Sequence, residues 1–244
     1  MNRKKIVVMI PTYNERENIR PLIESILRLD PNLDLTVFVV DDNSPDGTAQ
    51  EVEALAAENS RVKLLLRTKR RGRGAAGAAG FQAALDLNPD LVIEMDGDGS
   101  HQARFIPDLI QAAESSDIVL GSRFVPGGKD ADRRLVRRLI TWAVRVFIRW
   151  QFRFPVKDVS SGFRCFRAEA LRKIDPEDLI STGPSIVLEI LARAHQLGFK
   201  ITEIPISFID RKKGQTKLNF LTLLETLVMA LKFKQRYGRP ATKR

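Results

Sequence analysis

Two carboxylates stand two residues apart in Asp96-Gly97-Asp98, directly after the apolar run 91–95. With a small residue between them and Gly99 behind, both can turn to one side of a loop. There they could hold one hard cation through oxygen, as Mg2+ or Mn2+ requires when it also takes diphosphate oxygens. The same residues suit an Asx-rich turn closing a strand. Three more carboxylates, Asp41, Asp42 and Asp46, fall within six residues at the end of the run 35–40. Ser44 or Asp46 could cap the following helix, which accounts for one acid. For the cluster as a whole, a donor-rich ligand such as a base or ribose is the expectation. Gly72-Arg73-Gly74-Ala75-Ala76-Gly77 fits G-x-G-x-x-G, the dinucleotide fingerprint of nicotinamide enzymes. Five residues separate it from the run 62–66, whereas that fingerprint needs its tight turn at the strand end. A glycine loop closing over phosphate is the plainer reading. His101, beside the acidic loop, could act as a general base or stand behind it as a supporting or solvated group. Cys165, in an apolar run, is expected to pack.

One cysteine and two histidines in 244 residues exclude a disulfide framework and a Cys/His zinc cage, so any metal must rest on oxygen. Hydrophobic types make up 43%, enough for one large α/β core. The apolar run before Pro11 is shorter than a signal-peptide core. The longest uncharged stretch, 74–85, is mostly Ala and Gly and cannot span about 30 Å of hydrocarbon. The chain is therefore expected to stay on the side where it is made. Net charge is +10, but residues 123–153 carry +7 and residues 211–244 carry +9, leaving −6 elsewhere. A mildly acidic body with two basic segments calls for a polyanionic partner: nucleic acid, a phosphorylated substrate or an anionic membrane.

The elements that position these residues follow from the apolar pattern. Runs at 6–10, 35–40, 62–66, 91–95 and 118–120 read as buried strands, with helices over 15–29, 46–59, 74–87 and 104–115. This alternation predicts an α/β fold, a mostly parallel, doubly wound sheet whose ligands bind beyond the carboxyl ends of the strands. Further on, 132–152 reads as a long helix, 162–166 as a short strand and 185–197 as an amphipathic helix. Residues 200–208 read as a strand that Pro205 marks as an edge, and 218–234 as a last helix. One domain over 1–213 and an amphipathic tail over 214–244 are expected.

On the helix 132–152, Arg134, Arg138, Arg145, Arg149 and Arg153 share a face beside Leu135, Leu139, Trp142, Val146 and Trp150. That is the layout of a helix lying in a membrane interface; a surface helix of a basic protein also shows it. Arg137 and Thr141 lie on a different face, where they could meet a ligand. The last helix gathers Phe220, Leu223, Leu224, Leu227, Val228 and Leu231 on one arc, suited to a bilayer surface or to docking on the core. A nucleic-acid-binding module would interleave aromatic and basic residues on a strand or groove face. Here the tryptophans share a helix with arginines, and no nucleic-acid partner is expected.

Taken in order, Pro11-Thr12-Tyr13-Asn14-Glu15, Val40-Asp41-Asp42-Asn43-Ser44-Pro45-Asp46-Gly47-Thr48, Gly72-Arg73-Gly74-Ala75-Ala76, Met95-Asp96-Gly97-Asp98-Gly99-Ser100-His101, Gly121-Ser122-Arg123-Phe124, Ser161-Gly162-Phe163-Arg164 and Asp210-Arg211-Lys212-Lys213-Gly214-Gln215-Thr216-Lys217 form a series. Over about residues 5–235 it resembles the dolichyl-phosphate (polyprenyl-phosphate) mannosyltransferases of the inverting glycosyltransferase family 2. The resemblance implies a GT-A fold and transfer of mannose from GDP-mannose to a polyisoprenyl (dolichyl) phosphate. By it, Pro11, Tyr13, Glu15, Val40 and Asp42 would hold the guanosine, and Asp96, Gly97 and Asp98 the cation end of the donor. Arg211 and Lys217 would lie over the diphosphate. Arg123, Arg137 and Thr141 would match the acceptor-phosphate site, with Asp98, Arg123 and Arg137 carrying the catalysis. Ser100 stands where many relatives place a glutamine as third metal ligand, so that position falls to Ser100 or to water. Many relatives continue into transmembrane helices. This sequence shows one amphipathic helix instead, so attachment is expected to be peripheral, at the cytoplasmic face of a membrane, or supplied by a small anchoring subunit. A different nucleotide hexose, such as a glucosyl donor, stays open, because no residue read here fixes the sugar's 2-hydroxyl.

Overall fold

Residues 6–10 present apolar side chains to both sides. Ile6, Val8 and Ile10 enter one core cluster, while Val7 and Met9 enter the other. A strand apolar on both faces belongs inside a sheet that helices cover on both sides. The structure, a computed structural model, describes residues 3–69, 71–130, 135–209 and 220–238, with side chains for all of these except 135–141 and 220–224. The chain runs β1 (Lys5–Thr12), α1 (Arg16–Leu27), β2 (Asp34–Asp41), α2 (Thr48–Glu58), β3 (Val62–Leu66), α3 (Arg73–Asp86), β4 (Leu91–Glu94), α4 (Ile106–Ala112) and β5 (Ile118–Ser122). It continues through β6 (Lys129–Asp130), α5 (Leu135–Phe152), β7 (Arg164–Arg167), α6 (Ala168–Ile174), α7 (Ile186–Gln196), β8 (Ile201–Pro205), β9 (Ser207–Phe208) and α8 (Phe220–Tyr237).

Among the described residues, the main sheet has the order β3-β2-β1-β4-β7-β5-β8. All pairs are parallel except those of β7, which runs antiparallel to both β4 and β5. The predicted parallel α/β arrangement is therefore present, and the short strand expected at 162–166 is the one inserted against the grain. Pro205 ends β8, the edge strand, as its missing N–H requires. The single strand expected over 200–208 is broken at Ile206, and its second piece, β9, pairs with β6 in a separate two-stranded sheet.

The carboxyl ends of β1, β2 and β4 lie side by side, so the loops after Thr12, Asp41 and Glu94 share one rim. Ile148 and Phe152 anchor α5 in a core cluster that also holds Ala230, Phe233 and Tyr237 of α8. The described part of the last helix docks on the core through Ala230, Phe233 and Tyr237. Val228 and Leu231 of the arc read from the sequence point away from it, and the side chains of Phe220, Leu223 and Leu224 lie outside the described residues. Trp142, Val146, Phe147 and Trp150 of α5 and Val228 and Leu231 of α8 remain exposed. Among the described residues, no helix is long and apolar enough to cross a membrane.

Candidate active site

The loops after β1 and β2 are stitched together by side-chain to backbone hydrogen bonds. Asn14 and Asn43 take the left-handed turns that carry the chain off each strand, with φ of 61° and 55°. Asn14 N donates to Ser44 Oγ (2.9 Å), Glu15 N to Thr48 Oγ1 (3.0 Å) and Arg16 N to Asp46 Oδ2 (3.1 Å). Asp41 is fully buried and accepts from Thr12 Oγ1, Ser44 N and Ser44 Oγ. Asp46 accepts from Thr48 N and Oγ1. Burial works against its charge, but the bonds from Thr48 and Arg16 hold its carboxyl below the usual value. Asp42 pairs with Arg67 and accepts Gly72 N at 2.7 Å. The sequence reading left two of the three acids to a ligand; in the structure each has a partner that shapes the rim. Pro11 and Glu15 are half-buried, Tyr13 is exposed and Val40 is buried beneath them.

Gly97 seats the Asp96–Asp98 loop against β1. A Cβ there would lie 2.9 Å from Thr12 Cγ2 and 3.6 Å from Glu15 Cγ, so only glycine permits this approach. The loop that carries the two acids thus lies against Thr12 and Glu15. Asp98 is nearly buried, and its Oδ1 accepts both Ser100 N (3.0 Å) and the Ser100 hydroxyl. Ser100 therefore orients Asp98. Asp96 Oδ1 pairs with Arg73, a residue the sequence reading passed over. His101 is buried, stacked on Phe163 (centroids 5.0 Å apart) with Phe208 edge-on at 5.6 Å. Its Nδ1 accepts the Asp96 N–H at 3.0 Å, which fixes the Nε2-protonated tautomer, and burial pushes its pKa down. His101 is a prop for the acidic loop, which leaves it unsuited to act as a base.

The glycine loop does not close over an open helix end. Gly74 N and Ala75 N both donate to Thr182 O, at 2.9 and 3.4 Å. A Cβ on Gly74 would lie 2.5 Å from Ser181 O and 2.7 Å from Gly183 O. The first N–H groups of α3 are thus spent on the segment 181–183, where a pyrophosphate would sit in a dinucleotide enzyme. The fingerprint match is a packing device, and the nicotinamide reading loses its anion site.

Arg123 follows β5 and is buried. Its Nε and Nη2 fork onto Asp158 at 2.8 Å each, and Nη2 also donates to Ser160 Oγ at 2.8 Å. Its guanidinium lies 5.1 Å from the ring centroids of both Phe124 and Phe208. Arg145 of α5 also lies over Phe124, 3.8 Å from its ring centroid. Its Nε and Nη1 are buried without a hydrogen-bond partner among the described residues. The arginine stripe read as facing lipid thus turns at least this member inward, while Trp142 and Trp150 are 56% and 76% exposed. The side chains of Arg137 and Thr141, and all of Arg211 and Lys217, lie outside the described residues.

Residues 7–175 match glycosyl transferase family 2. The chain is 40% identical over 215 residues to the undecaprenyl-phosphate mannosyltransferase of Micrococcus luteus, an alignment covering 88% of each. It is 34% identical over 226 residues to the polyprenol monophosphomannose synthase of Mycolicibacterium smegmatis, covering 92% of this chain and 84% of that protein. The chain belongs to glycosyl transferase family 2. Among solved structures, glucosyl-3-phosphoglycerate synthase from Mycobacterium tuberculosis, in complex with Mn2+, UDP-glucose and glycerol 3-phosphate, superposes with a TM-score of 0.70 at 19% identity. That match covers 98% of this chain and 82% of that one, and shows that this family 2 glycosyl transferase has the GT-A fold the resemblance implied.

At the tip of β4 this glycosyl transferase offers two carboxylates and a hydroxyl, an all-oxygen donor set that fits a hard divalent cation. Among the described residues no three His, Cys, Asp or Glu side chains converge. A cation on Asp96 and Asp98 would thus take its other ligands from diphosphate or water. The sequence reading missed Arg67, Arg73, Glu94, Asp158 and Arg164. One signal was present for two of them: Glu94 and Arg164 are charges set inside apolar runs, where only a partner makes burial tolerable.

Proposed function

We propose that this glycosyl transferase is a membrane-peripheral, metal-dependent enzyme that moves mannose from GDP-mannose to a polyprenyl or dolichyl phosphate, with inversion to a β-mannosyl phosphoryl lipid. The observation that carries the reading is the Asp96-Gly97-Asp98 loop seated against Thr12 at the end of β1 and Glu15 in the loop after it, which brings two carboxylates to the rim where a nucleotide would lie. The names of the two relatives supply mannose and a polyprenyl phosphate, and the Mn2+ in the structural neighbour supports a divalent ion.

Pro11, Tyr13, Glu15, Val40 and Asp42 form the guanosine wall, with Arg211 and Lys217 over the diphosphate. Asp96 and Asp98 hold Mg2+ or Mn2+, and Ser100 keeps Asp98 in place. When bound, the cation supplies charge neutralisation for the departing diphosphate. The chain's own residues do the rest. Arg123, through the Nη1 that Asp158 and Ser160 do not hold, joins Arg137 and Thr141 in positioning the acceptor phosphate. That phosphate is already ionised at neutral pH, so attack needs no strong base, consistent with a His101 that is neutral and occupied. Positioned arginines offset the repulsion between two anions, the electrostatic part of the catalysis. In-line attack on the anomeric carbon inverts it. The basic segments and exposed tryptophans hold the enzyme at the cytoplasmic membrane face where its lipid substrate resides.

The test is a soluble assay with GDP-mannose, Mg2+ or Mn2+ and a short polyprenyl phosphate. Mannosyl phosphoryl lipid should form only with the cation present, and GDP should compete where UDP does not. Competition by UDP as strong as by GDP would move the reading to a glucosyl donor. Product formed at full rate in excess chelator would remove the metal.

A further inference from the structure

Arg73 opens α3 and places its guanidinium between two carboxylates. Nη2 pairs with Asp96 Oδ1, and Nη1 stands 4.0 Å from Glu94 Oε1. Glu94 is fully buried on β4. Its Oε2 accepts Nε and Nη2 of Arg164, whereas Oε1 is buried with no hydrogen-bond partner among the described residues. An unmet buried acceptor is costly, and the donor facing this one is the same guanidinium that holds Asp96. Arg73 therefore has a second berth built beside the first. Guanidinium does not lose its proton in proteins, so it can release Asp96 only by moving.

We infer that Arg73 is a positioning residue that competes with the divalent cation for Asp96 and yields it when a nucleotide diphosphate arrives, turning toward Glu94 Oε1. The inference rests on the metal-dependent reading above. A divalent ion and a guanidinium on one carboxylate repel each other, so the cation alone meets a site that is already neutralised. A diphosphate adds negative charge on the cation's side and tips the balance. Cation and nucleotide then bind cooperatively, each raising the other's affinity by the same factor, and the enzyme holds little metal until its donor is present.

The test is Mn2+ binding to the full-length protein, read from the paramagnetic resonance signal of free Mn2+, with and without GDP. Wild type should bind Mn2+ at least about tenfold more tightly with GDP than without it. In Arg73→Met, which keeps the length of the stem and removes the charge, Mn2+ alone should bind about tenfold more tightly than to wild type. The gain in affinity that GDP brings, measured against protein-free GDP, should shrink by about the same tenfold factor, leaving the part that direct ligation by the diphosphate supplies. A merely structural role predicts the reverse, since damage to the loop lowers affinity. Unchanged or weaker Mn2+ binding by Arg73→Met would overturn the assignment. If Arg73→Met does not fold, Arg73→Gln, which keeps a donor to Asp96 without the charge, gives the same readout. No Mn2+ binding to any form, with or without GDP, would sink the metal reading and this inference with it, a pattern distinct from an Arg73 failure alone.

Discussion

Glu94 and Arg164 occupy paired positions on the antiparallel strands β4 and β7, and Arg164 Nη2 lies 2.5 Å from Glu94 Oε2 with both side chains buried. Arg164 also donates to the Val187 carbonyl at 3.0 Å, tying the sheet to α7. Such a pair adds little net stability over an apolar one, but breaking it strands a charge. Arg164→Met should lose about 3–5 kcal/mol in urea unfolding. Combining it with Glu94→Leu should recover most of that loss. A single variant as stable as wild type would contradict the pairing.

The Tyr237 hydroxyl donates to Glu189 at 2.9 Å, and Glu189 also accepts Ile180 N and Ser181 N, so α8 is linked to the segment that covers the start of α3. Burial, reinforced by Glu189, pushes the Tyr237 pKa up from 10.0 to about 12. A raised folded-state pKa means that the stabilisation is fully present below the unfolded value and disappears as pH rises from about 10 through about 12. Unfolding free energies from urea titrations at pH 9 and pH 11.5 should differ more in wild type than in Tyr237→Phe, by about 1–2 kcal/mol. Equal pH dependence in the two proteins would show that Tyr237 is not linked in this way.

Much of this architecture was legible because strand-length apolar runs and turn-forming strand ends are local signals. Periodicity found β1 through β5 and the rim of acids, and Pro205 pointed to the edge. What it could not give was partnership. Asp41 and Asp42 read as an acidic cluster from composition, but their partners Thr12, Arg67 and Gly72 come together only once parallel strands are in register. The insertion of β7 between β4 and β5 is equally non-local, since a short strand carries no sign of its neighbours. The glycines at 72 and 74 misled for the same reason: a backbone brought close by another segment and a backbone brought close by a phosphate make the same demand on sequence.

Gly74 offers a direct check on that packing role. Because its missing Cβ would meet the backbone of residues 181–183, which cannot move aside as a flexible side chain could, Gly74→Ala should destabilise the fold by about 1–3 kcal/mol. The measurement is the urea midpoint in the absence of any ligand. A loss of donor affinity at unchanged stability would instead return the loop to phosphate binding.

An amide can replace the Asp98 carboxylate without losing the bonds from Ser100. Its Oδ1 accepts from Ser100, and an amide oxygen can accept the same bonds. Asp98→Asn should therefore keep the wild-type circular dichroism and melting curve while mannosyl transfer falls by at least about 100-fold. Ser100→Ala, which removes the hydroxyl bond to Asp98 Oδ1 and keeps the backbone one, should fall between the two. Full turnover by Asp98→Asn would take the carboxylate pair out of the mechanism.

The exposed apolar face tests membrane attachment separately from chemistry. Trp150 is 76% exposed on α5, so replacing it disturbs little of the core, and no catalytic role falls on it. An indole buried at the headgroup level contributes through its apolar area, whereas a carboxylate there is repelled by anionic lipid. Trp150→Asp should weaken binding to vesicles containing anionic phospholipid by about tenfold in a sedimentation assay, while turnover of a short, water-soluble polyprenyl phosphate stays at the wild-type rate. Equal losses in both assays would place Trp150 in the acceptor site, and no loss in either would leave the lipid surface to other residues of α5 and α8.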